Sequence, residues 1–293
     1  MHLRAKDLLN FMRPQNLKAR IFLDSGDPQE TRAALKLLGF LDGQTTNPSL
    51  IAKNPAAAGK KFSAAAVLNF YQKIVKEVSS LIPQGSVSVE VYSDKNTLAE
   101  EMLEQAQEFN QWIPNAHIKF PTTPEGLKAA ELAVAEKMRV NTTLVFSQEQ
   151  AAAVYAATKG AKKGDVFISP FIGRLDDIGE NGMDLVANII KMYQTGDGHV
   201  EVLTASVRSM DHIKQAIALG SDILTTPLKV LQDWAAAGMP IEYQEASIKN
   251  QELKPIPYRD INLDKAWANY HLGHELTDKG LAKFATDWKG LIE

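Results

Sequence analysis

A lysine in a short apolar run is the residue of this chain with the clearest chemical potential. Lys119 lies in the strand-like run IKFP at 118–121, which is followed by a helix start, TPEG, at 123–126. A lysine that points from such a strand into a barrel interior loses hydration, which disfavours its ammonium form. Because a neutral lysine amine can attack a ketone carbonyl, Lys119 is a candidate for forming a Schiff base.

Polar residues recur at the predicted carboxyl ends of the strands, where parallel barrels carry their functional side chains. These ends hold Asp24, Thr45, Thr46, Asn47, Glu90, Lys119, Thr143, Ser169, Ser206 and Arg208. Taken alone, Asp24 could cap a helix, and Glu90 and Lys119 could form a structural ion pair. However, a buried polar group costs free energy, so polar residues at nearly every strand end predict a functional site.

Two arginines follow the sixth and seventh predicted strands. Arg174 lies in SPFIGR at 169–174, and Arg208 ends the run ASVR at 205–208. Two guanidinium groups on that side of a barrel would bind a phosphate through charge-assisted, often bidentate hydrogen bonds. The alternative is that Arg174 pairs with Asp176 or Asp177 on the surface.

The elements that would position these residues alternate between short β-branched runs and longer amphipathic segments. The predicted strands are Ile21–Asp24, Phe40–Thr45, Val87–Tyr92, His117–Phe120, Val140–Phe146, Val166–Ser169, Glu201–Ala205 and Asp222–Thr225. Helix starts are indicated by Asp27-Pro28, Thr97, Thr123-Pro124, and Ser147 with Gln150. Eight such units predict an α/β fold, a (β/α)8 TIM barrel. An open doubly wound sheet remains the alternative, although no glycine-rich dinucleotide motif follows the first strand.

Two segments extend the barrel, which we predict over residues 21–244 of one domain spanning 1–293. Residues 1–20 are predicted to form a helical extension across one end. Residues 245–293 are predicted to form a tail that begins with an extended, proline-containing stretch and ends in a helix. Leu281, Phe284 and Trp288 share one face of that helix, so it should dock on the barrel or on a second copy of the chain.

The composition excludes several classes of protein. The 293 residues are 45% hydrophobic and 23% charged, which suits one barrel with extensions or two smaller domains. The net charge of −3 gives no overall cationic field for a nucleic acid. Cysteine is absent, so disulfides, thiolate metal sites and a cysteine nucleophile are excluded. We find no signal peptide and no membrane-spanning run, and we therefore expect a cytoplasmic protein. A glycosylation pattern at Asn141 falls inside a predicted strand and is discounted.

Two clusters have a simpler reading than a functional one. His271 and His274 lie three residues apart, but no carboxylate or cysteine cluster accompanies them, so we expect a solvent-facing position and no metal. Lys159, Lys162 and Lys163 precede the sixth strand and are expected at the amino-terminal end of the barrel, away from the chemistry.

Seven short runs, in a fixed order along the chain, match a known family. They are FLDS at 22–25, DGQTTNPSL at 42–50, VEV at 89–91, IKFPTTPEG at 118–126, NTTLVFS at 141–147, SPFIGR at 169–174 and ASVR at 205–208. With these runs the chain resembles the transaldolases, which are class I (Schiff-base) aldolase-type barrels. The resemblance covers residues 20–240, and the runs TTNPSL and SPFIGR are the most specific.

The resemblance implies a role for each matched residue. It implies that Lys119 forms the Schiff base and that Asp24 takes the proton from the substrate C4 hydroxyl. It implies that Glu90 activates a water that Thr143 helps to hold. The implied substrate contacts are Asn47 and Ser169 at the dihydroxyacetone part and Arg174, Arg208 and Ser206 at the phosphate, with Thr45 and Phe171 as further substrate-binding residues.

The implied activity is transfer of a dihydroxyacetone unit from a ketose phosphate to an aldose phosphate. The donor would be fructose 6-phosphate or sedoheptulose 7-phosphate, in the pentose phosphate pathway of carbohydrate metabolism. No metal or cofactor is expected, because the lysine imine withdraws the electrons. The expected partners are small sugar phosphates, with no nucleic acid and no membrane, and a homo-oligomer is left open.

Two residues favour transfer over simple cleavage. A related subgroup of fructose-6-phosphate aldolases releases free dihydroxyacetone, and it carries Gln where this chain has Glu90 and Tyr where it has Phe171. The phenyl ring of Phe171 has no hydroxyl to protonate the intermediate. An aldolase of that type and a non-catalytic barrel that binds sugar phosphates remain the alternatives. Phe120 and the long segments at both ends depart from the family pattern, which leaves acceptor preference and assembly open, and a sulfonate tail could replace the phosphate.

Overall fold

Eight parallel strands form a closed barrel in the computed structural model, which describes residues 13–242 and 253–293. The strands are β1 Arg20–Asp24, β2 Gly43–Thr45, β3 Ser86–Glu90, β4 Ala116–Pro121, β5 Val140–Val145, β6 Val166–Pro170, β7 Val200–Thr204 and β8 Ile223–Thr226. Each strand pairs with its neighbours in chain order, and β1 pairs with β8, where Arg20 lies opposite Ile223. The predicted (β/α)8 TIM barrel is therefore confirmed, and the open sheet is excluded.

Helices follow the strands around the outside of the barrel. Within the described residues they are α1 Pro28–Leu38, α2 Pro48–Ala52, α3 Ala64–Leu81, α4 Ala99–Asn110, α5 Pro124–Ala135, α6 Gln148–Ala157, α7 Ile172–Asp176, α8 Gly182–Tyr193, α9 Met210–Leu219, α10 Leu228–Ala236 and α11 Glu275–Lys289. Short 3₁₀ turns occupy Pro55–Ala57 and Trp267–Asn269. In the described part of the chain, no helix combines the length and the apolarity that a membrane crossing requires.

The predicted start signals are confirmed at three helices and wrong at one. The side chains of Asp27, Thr123 and Ser147 each accept a backbone N–H in the first turn of α1, α5 and α6. Thr97 does not cap α4, which begins after Leu98. The Thr97 hydroxyl is instead used in the preceding turn, where it bonds to an aspartate.

The alternation of side chains along the strands creates two layers inside the barrel. In the lower layer, the ring centroid of Phe167 lies 4.0 Å from that of His117 and 6.1 Å from that of Phe22. Gly43 leaves room for this layer, since a Cβ there would lie 2.5 Å from the Phe22 ring. The residues two positions further along these three strands point the same way and form the upper layer. They are Asp24, Lys119 and Ser169. Aromatic rings thus close the barrel below, and polar groups lie at its open end.

The predicted N-terminal helix is not found in the residues that can be described. Residues 13–19 contain a turn and no helix, and residues 1–12 of the prediction lie outside the described residues. Arg13 pairs with Asp42 at 2.7 Å, and its guanidinium carbon lies 5.0 Å from the Phe40 ring centroid. These contacts hold an extended segment against the amino-terminal end of the barrel.

The C-terminal tail packs on the barrel of its own chain. Its first part runs past α8 and α6, where the Asn188 amide donates to Ile256 O at 2.9 Å and Gln148 accepts from the Arg259 N–H at 2.8 Å. Helix α11 then crosses the carboxyl ends of the strands and contacts α2 and β5. The predicted apolar face is confirmed, since Leu281, Phe284 and Trp288 are buried. The predicted start of the tail at residue 245 lies outside the described residues.

Candidate active site

A cavity of about 210 Å³ opens at the carboxyl ends of the strands, beneath α11. Of the eleven residues predicted for the site, eight line this cavity: Asp24, Thr45, Asn47, Lys119, Ser169, Phe171, Arg174 and Ser206. Glu90 and Thr143 are buried in the barrel wall, whereas Arg208 is exposed. The structure therefore places most of the residues predicted for the site around one cavity.

Lys119 points into the barrel, and its side chain is 3% exposed. Its Nζ lies 2.8 Å from Glu90 Oε2 and donates to Thr46 O at 3.0 Å. Glu90 and Lys119 are direct neighbours in the register of β3 and β4, which sets this ion pair. The pairing that the sequence left open thus exists, and it lies inside the site next to Asp24.

Glu90 is a buried carboxyl that can exchange a proton with the Lys119 amine. Burial raises its pKa, and the charge of Lys119 lowers it in part. The hydroxyl of Tyr71 accepts from the Glu90 N–H at 2.9 Å and bonds to the Thr46 hydroxyl at 2.6 Å. Sequence reasoning missed Tyr71, whose only signal is a phenol on the apolar face of α3.

Asp24 is a second carboxyl with a raised pKa. Burial raises it, while Lys119, the Thr45 hydroxyl and Arg174 each lower it. Thr45 donates to Asp24 Oδ1 at 2.7 Å, and its hydroxyl lies 2.5 Å from that of Thr225. This chain of hydroxyl groups orients a carboxyl that burial has made a better proton acceptor.

An amide network links the walls between β3 and β6. Ser169 donates to Asn141 Oδ1 at 2.7 Å, and the Asn141 amide donates to the Ser88 hydroxyl at 3.1 Å. The sequence predicts no site role for Asn141, which lies in a discounted glycosylation pattern and begins the family run NTTLVFS. Its position two residues before Thr143, on the same face of β5, was the signal that could have identified it.

Asn47 and Thr143 present polar groups that the fold does not fully use. Asn47 Oδ1 accepts from the Leu50 N–H at 2.9 Å, as the N-cap of α2, and its amide N–H groups donate to no residue of the described ranges, so they can bind a ligand. The Thr143 hydroxyl is fully buried and makes no hydrogen bond to any residue that the structure describes. A buried hydroxyl of this kind is suited to hold a water or a substrate oxygen.

Arg174 is the guanidinium that lines the cavity. Its Cζ lies 5.2 Å from the Phe171 ring centroid and 5.5 Å from that of Phe284. Burial lowers its pKa, with an opposing effect from Glu90. Among the described residues Arg174 makes no salt bridge to a carboxylate, and Asp177 and Asp176 pair with Arg208 and His212 instead, so the alternative of a surface pair is not found for Arg174.

Arg208 makes the surface pair instead. Both of its terminal nitrogens bond to Asp177, one of them at 2.7 Å, and this contact keeps its guanidinium outside the cavity lining. Ser206, two residues earlier, does line the cavity and has a backbone φ of 60°. The two arginines are therefore not equivalent in this structure.

Residues from α2 and α11 complete the rim, and sequence reasoning missed them. They are Ser49, Leu50, Lys53, Lys283, Phe284 and Asp287. Asp287 accepts from the Ser49 hydroxyl and pairs with Lys283, which ties α11 to α2. No local pattern reveals such lining, since it depends on where the tail docks.

The described residues contain no group of three or more histidine, cysteine, aspartate or glutamate side chains arranged to hold a metal. His271 is exposed, as expected. His274 is only partly exposed, because it caps α11 and its ring centroid lies 5.2 Å from that of Phe146.

Comparisons with known proteins bear on what this site does. A family model described as transaldolase/fructose-6-phosphate aldolase matches residues 21–293. A probable transaldolase of Dehalococcoides mccartyi is 34% identical over 93% of this chain and 99% of its own length. Probable transaldolases of Alkaliphilus metalliredigens and Brucella ovis are 35% and 36% identical, over 94% and 92% of this chain and 100% and 96% of their own lengths.

Proposed function

Since the chain belongs to the transaldolase/fructose-6-phosphate aldolase family and is an enzyme of that family, we propose that it transfers a dihydroxyacetone unit from a ketose phosphate to an aldose phosphate through a Schiff base on Lys119. The observation that carries this proposal is the buried Lys119 amine, 2.8 Å from Glu90 in a cavity that Asp24 also lines. An amine, a proton acceptor beside it and a second carboxyl are the groups that such a reaction requires.

The first step is formation of the imine. Glu90 takes a proton from the Lys119 ammonium group across their 2.8 Å contact, and its raised pKa favours this transfer. The neutral amine attacks C2 of the ketose, and a proton moves from the nitrogen to the former carbonyl oxygen to give the carbinolamine. Glu90 then returns its proton to the carbinolamine hydroxyl, which leaves as water and gives the protonated imine. The unpartnered hydroxyl of Thr143 supports its proposed role in holding that water.

The second step breaks a carbon–carbon bond. Asp24 takes the proton of the C4 hydroxyl, the C3–C4 bond breaks, and its electron pair moves into the imine to form an enamine. The first aldose leaves with its new carbonyl group. In the reverse direction, enamine C3 attacks the acceptor carbonyl, and Asp24 returns its proton to the new hydroxyl. The raised pKa of Asp24 supports both transfers.

The remaining wall residues would bind the substrate. We assign Thr45, Asn47 and Ser169 to the hydroxyl groups of the dihydroxyacetone part, because all three line the cavity with hydrogen-bonding groups. We assign the phosphate to Arg174 and Ser206, with Arg208 as a further contact from outside the cavity. Asn141 joins this set through its bond to Ser169.

Phe171 favours transfer of the dihydroxyacetone unit to an acceptor over its release as free dihydroxyacetone. Phe171 lines the cavity with a phenyl ring, which cannot donate a proton to the enamine. The intermediate therefore persists until an acceptor aldehyde arrives. We place this activity in the pentose phosphate pathway and in the cytoplasm, where phosphorylated sugars are made and used, and we treat the chain as a single domain.

The first test is chemical trapping. Borohydride added with fructose 6-phosphate should fix a stable adduct on Lys119, located by mass spectrometry, and Lys119→Ala should form none. Lys128→Ala provides a control at an exposed lysine on α5. Full turnover by Lys119→Ala would end the proposal. A panel of donors with and without acceptor then separates transfer from cleavage, because a simple aldolase would accumulate free dihydroxyacetone without any acceptor.

A further inference from the structure

The guanidinium group of Arg174 is held by packing. It lies between the rings of Phe171 and Phe284, with its Cζ 5.2 Å and 5.5 Å from their centroids. No hydrogen bond or ion pair to a residue of the described ranges fixes its nitrogens. Its N–H donors are therefore available to an anionic ligand, but their position depends on the surfaces around them.

Helix α11 provides one of these surfaces at a position without a side chain. A Cβ added to Gly280 would lie 2.6 Å from Arg174 Nη1 and 2.6 Å from Leu144 Cδ2. Real Cβ atoms do not approach other atoms so closely, so any side chain at this position must displace its neighbours. Both neighbouring atoms are the ends of flexible side chains, so we expect the displacement to fall on the Arg174 and Leu144 side chains and not on the backbone.

Helix α11 cannot move away to relieve the contact. The Thr277 hydroxyl donates to Leu144 O at 2.9 Å and accepts from the Gln150 amide at 2.8 Å. At its other end, Lys289 pairs with Asp94 at 2.9 Å. Since the helix is held on both sides of Gly280, the ends of the Arg174 and Leu144 side chains are the parts that give way.

We propose that Gly280 is a positioning residue for Arg174, and that with Phe284 it makes helix α11 a determinant of specificity for sugars with an anionic end. This inference rests on the proposed function and deepens it. The bare backbone at Gly280 lets the guanidinium lie against the helix and point its donors into the cavity beside Ser206. The tail thereby sets the affinity for the charged end of the substrate. Formation of the Schiff base on Lys119 does not depend on this contact.

The test compares two ligands that form the same intermediate. Fructose 6-phosphate carries an anionic end, whereas dihydroxyacetone reaches Lys119 without one. In Gly280→Ala, the concentration of fructose 6-phosphate that gives half-maximal borohydride trapping should rise by about tenfold or more, the effect of losing a charge-assisted hydrogen bond. The corresponding concentration of dihydroxyacetone should stay unchanged.

Three further variants make the test specific. Gly290→Ala is the matched control, because a Cβ there meets only carbonyl groups of its own helix. In an Arg174→Ala background, Gly280→Ala should have no additional effect. Phe284→Leu keeps the apolar volume and removes the ring, so it should weaken fructose 6-phosphate trapping by about threefold. This variant tests the proposal if Gly280→Ala does not fold.

The outcomes separate the two proposals. An unchanged requirement for fructose 6-phosphate in Gly280→Ala, or an equal rise for both ligands, would overturn the positioning role. An additional loss in the Arg174→Ala background would overturn it as well. Absence of any adduct in the wild-type protein with either ligand would instead contradict the proposed Schiff-base function.

Discussion

At Asp24, burial and neighbouring charges act on the carboxyl in opposite directions. Burial dominates and raises its pKa, although Lys119, Thr45 and Arg174 all stabilise the charged form. The folded protein therefore binds this proton more tightly than the unfolded chain does. The free energy of unfolding then decreases as pH rises from the unfolded pKa, near 3.8, to the higher folded pKa. Above that interval the full cost of the ionised carboxyl is present.

Asp24→Asn should accordingly exchange activity for stability. The amide keeps an oxygen that can accept from Thr45, and it removes the charge that burial disfavours. We expect kcat for transfer to fall by about 100-fold or more, since the proton acceptor is lost. Above the interval the Tm should rise by about 2–4 °C, a gain that disappears at acid pH. An equal or lower Tm at neutral pH would contradict the sign of this linkage.

Some residues of the candidate site could be predicted from the sequence, and others could not. Lys119, Asp24 and Ser169 could be placed near one another because each lies at or near the carboxyl end of a predicted parallel strand. Tyr71 could not, since its hydroxyl lies on a helix face that otherwise reads as core. Nor could the choice of Asp177 by Arg208 instead of Arg174 be predicted, because it depends on side-chain directions in two neighbouring loops.

At the scale of elements, the end of β5 and the start of α11 support each other. The register of β5 with β6 shifts between Thr142 and Val145, and Leu144 adopts a backbone φ of 60°. A branched residue rarely adopts this conformation, which costs about 1–2 kcal/mol. The Thr277 hydroxyl donates to the carbonyl of Leu144 and so satisfies the irregular backbone directly after Thr143.

Thr277→Val should show how much this contact contributes. The change keeps the shape of the side chain but leaves the Leu144 carbonyl and the Gln150 amide without this partner. We expect a loss of about 1–3 kcal/mol in the free energy of unfolding, measured by denaturant titration. Thr286→Val, an exposed threonine on the same helix, is the control and should change it by less than about 0.5 kcal/mol. Equal effects of the two variants would show that the hydroxyl of Thr277 contributes nothing.

At the scale of the whole molecule, helix α11 of the tail and the strand ends of the same chain line one cavity. Because the tail docks on the barrel of its own chain, we expect each copy of the chain to be active by itself. Specific activity per chain should therefore stay constant when the enzyme is diluted from micromolar to nanomolar concentration, while sedimentation reports the state of assembly. A loss of activity that follows dissociation would show that a second copy contributes to the site.

The overall architecture was accessible from sequence because each unit is local. Every strand run and most helix caps are short patterns, and eight repeats of them leave few ways to arrange a parallel sheet. The docking of α11 was not accessible in the same way. Leu281, Phe284 and Trp288 predicted a buried face, but the contact of Gly280 with Arg174 joins residues far apart in the chain.

The lower layer of rings, formed by Phe22, His117 and Phe167, has a kinetic consequence. It fills the lower part of the barrel, so we expect a substrate to reach Lys119 through the cavity beneath the tail. Because the cavity has a volume of only about 210 Å³, the first aldose must leave it before the acceptor aldose can enter. Under the proposed Schiff-base mechanism, donor and acceptor should then bind in turn in a ping-pong sequence, and the first product should compete with the acceptor for the enamine.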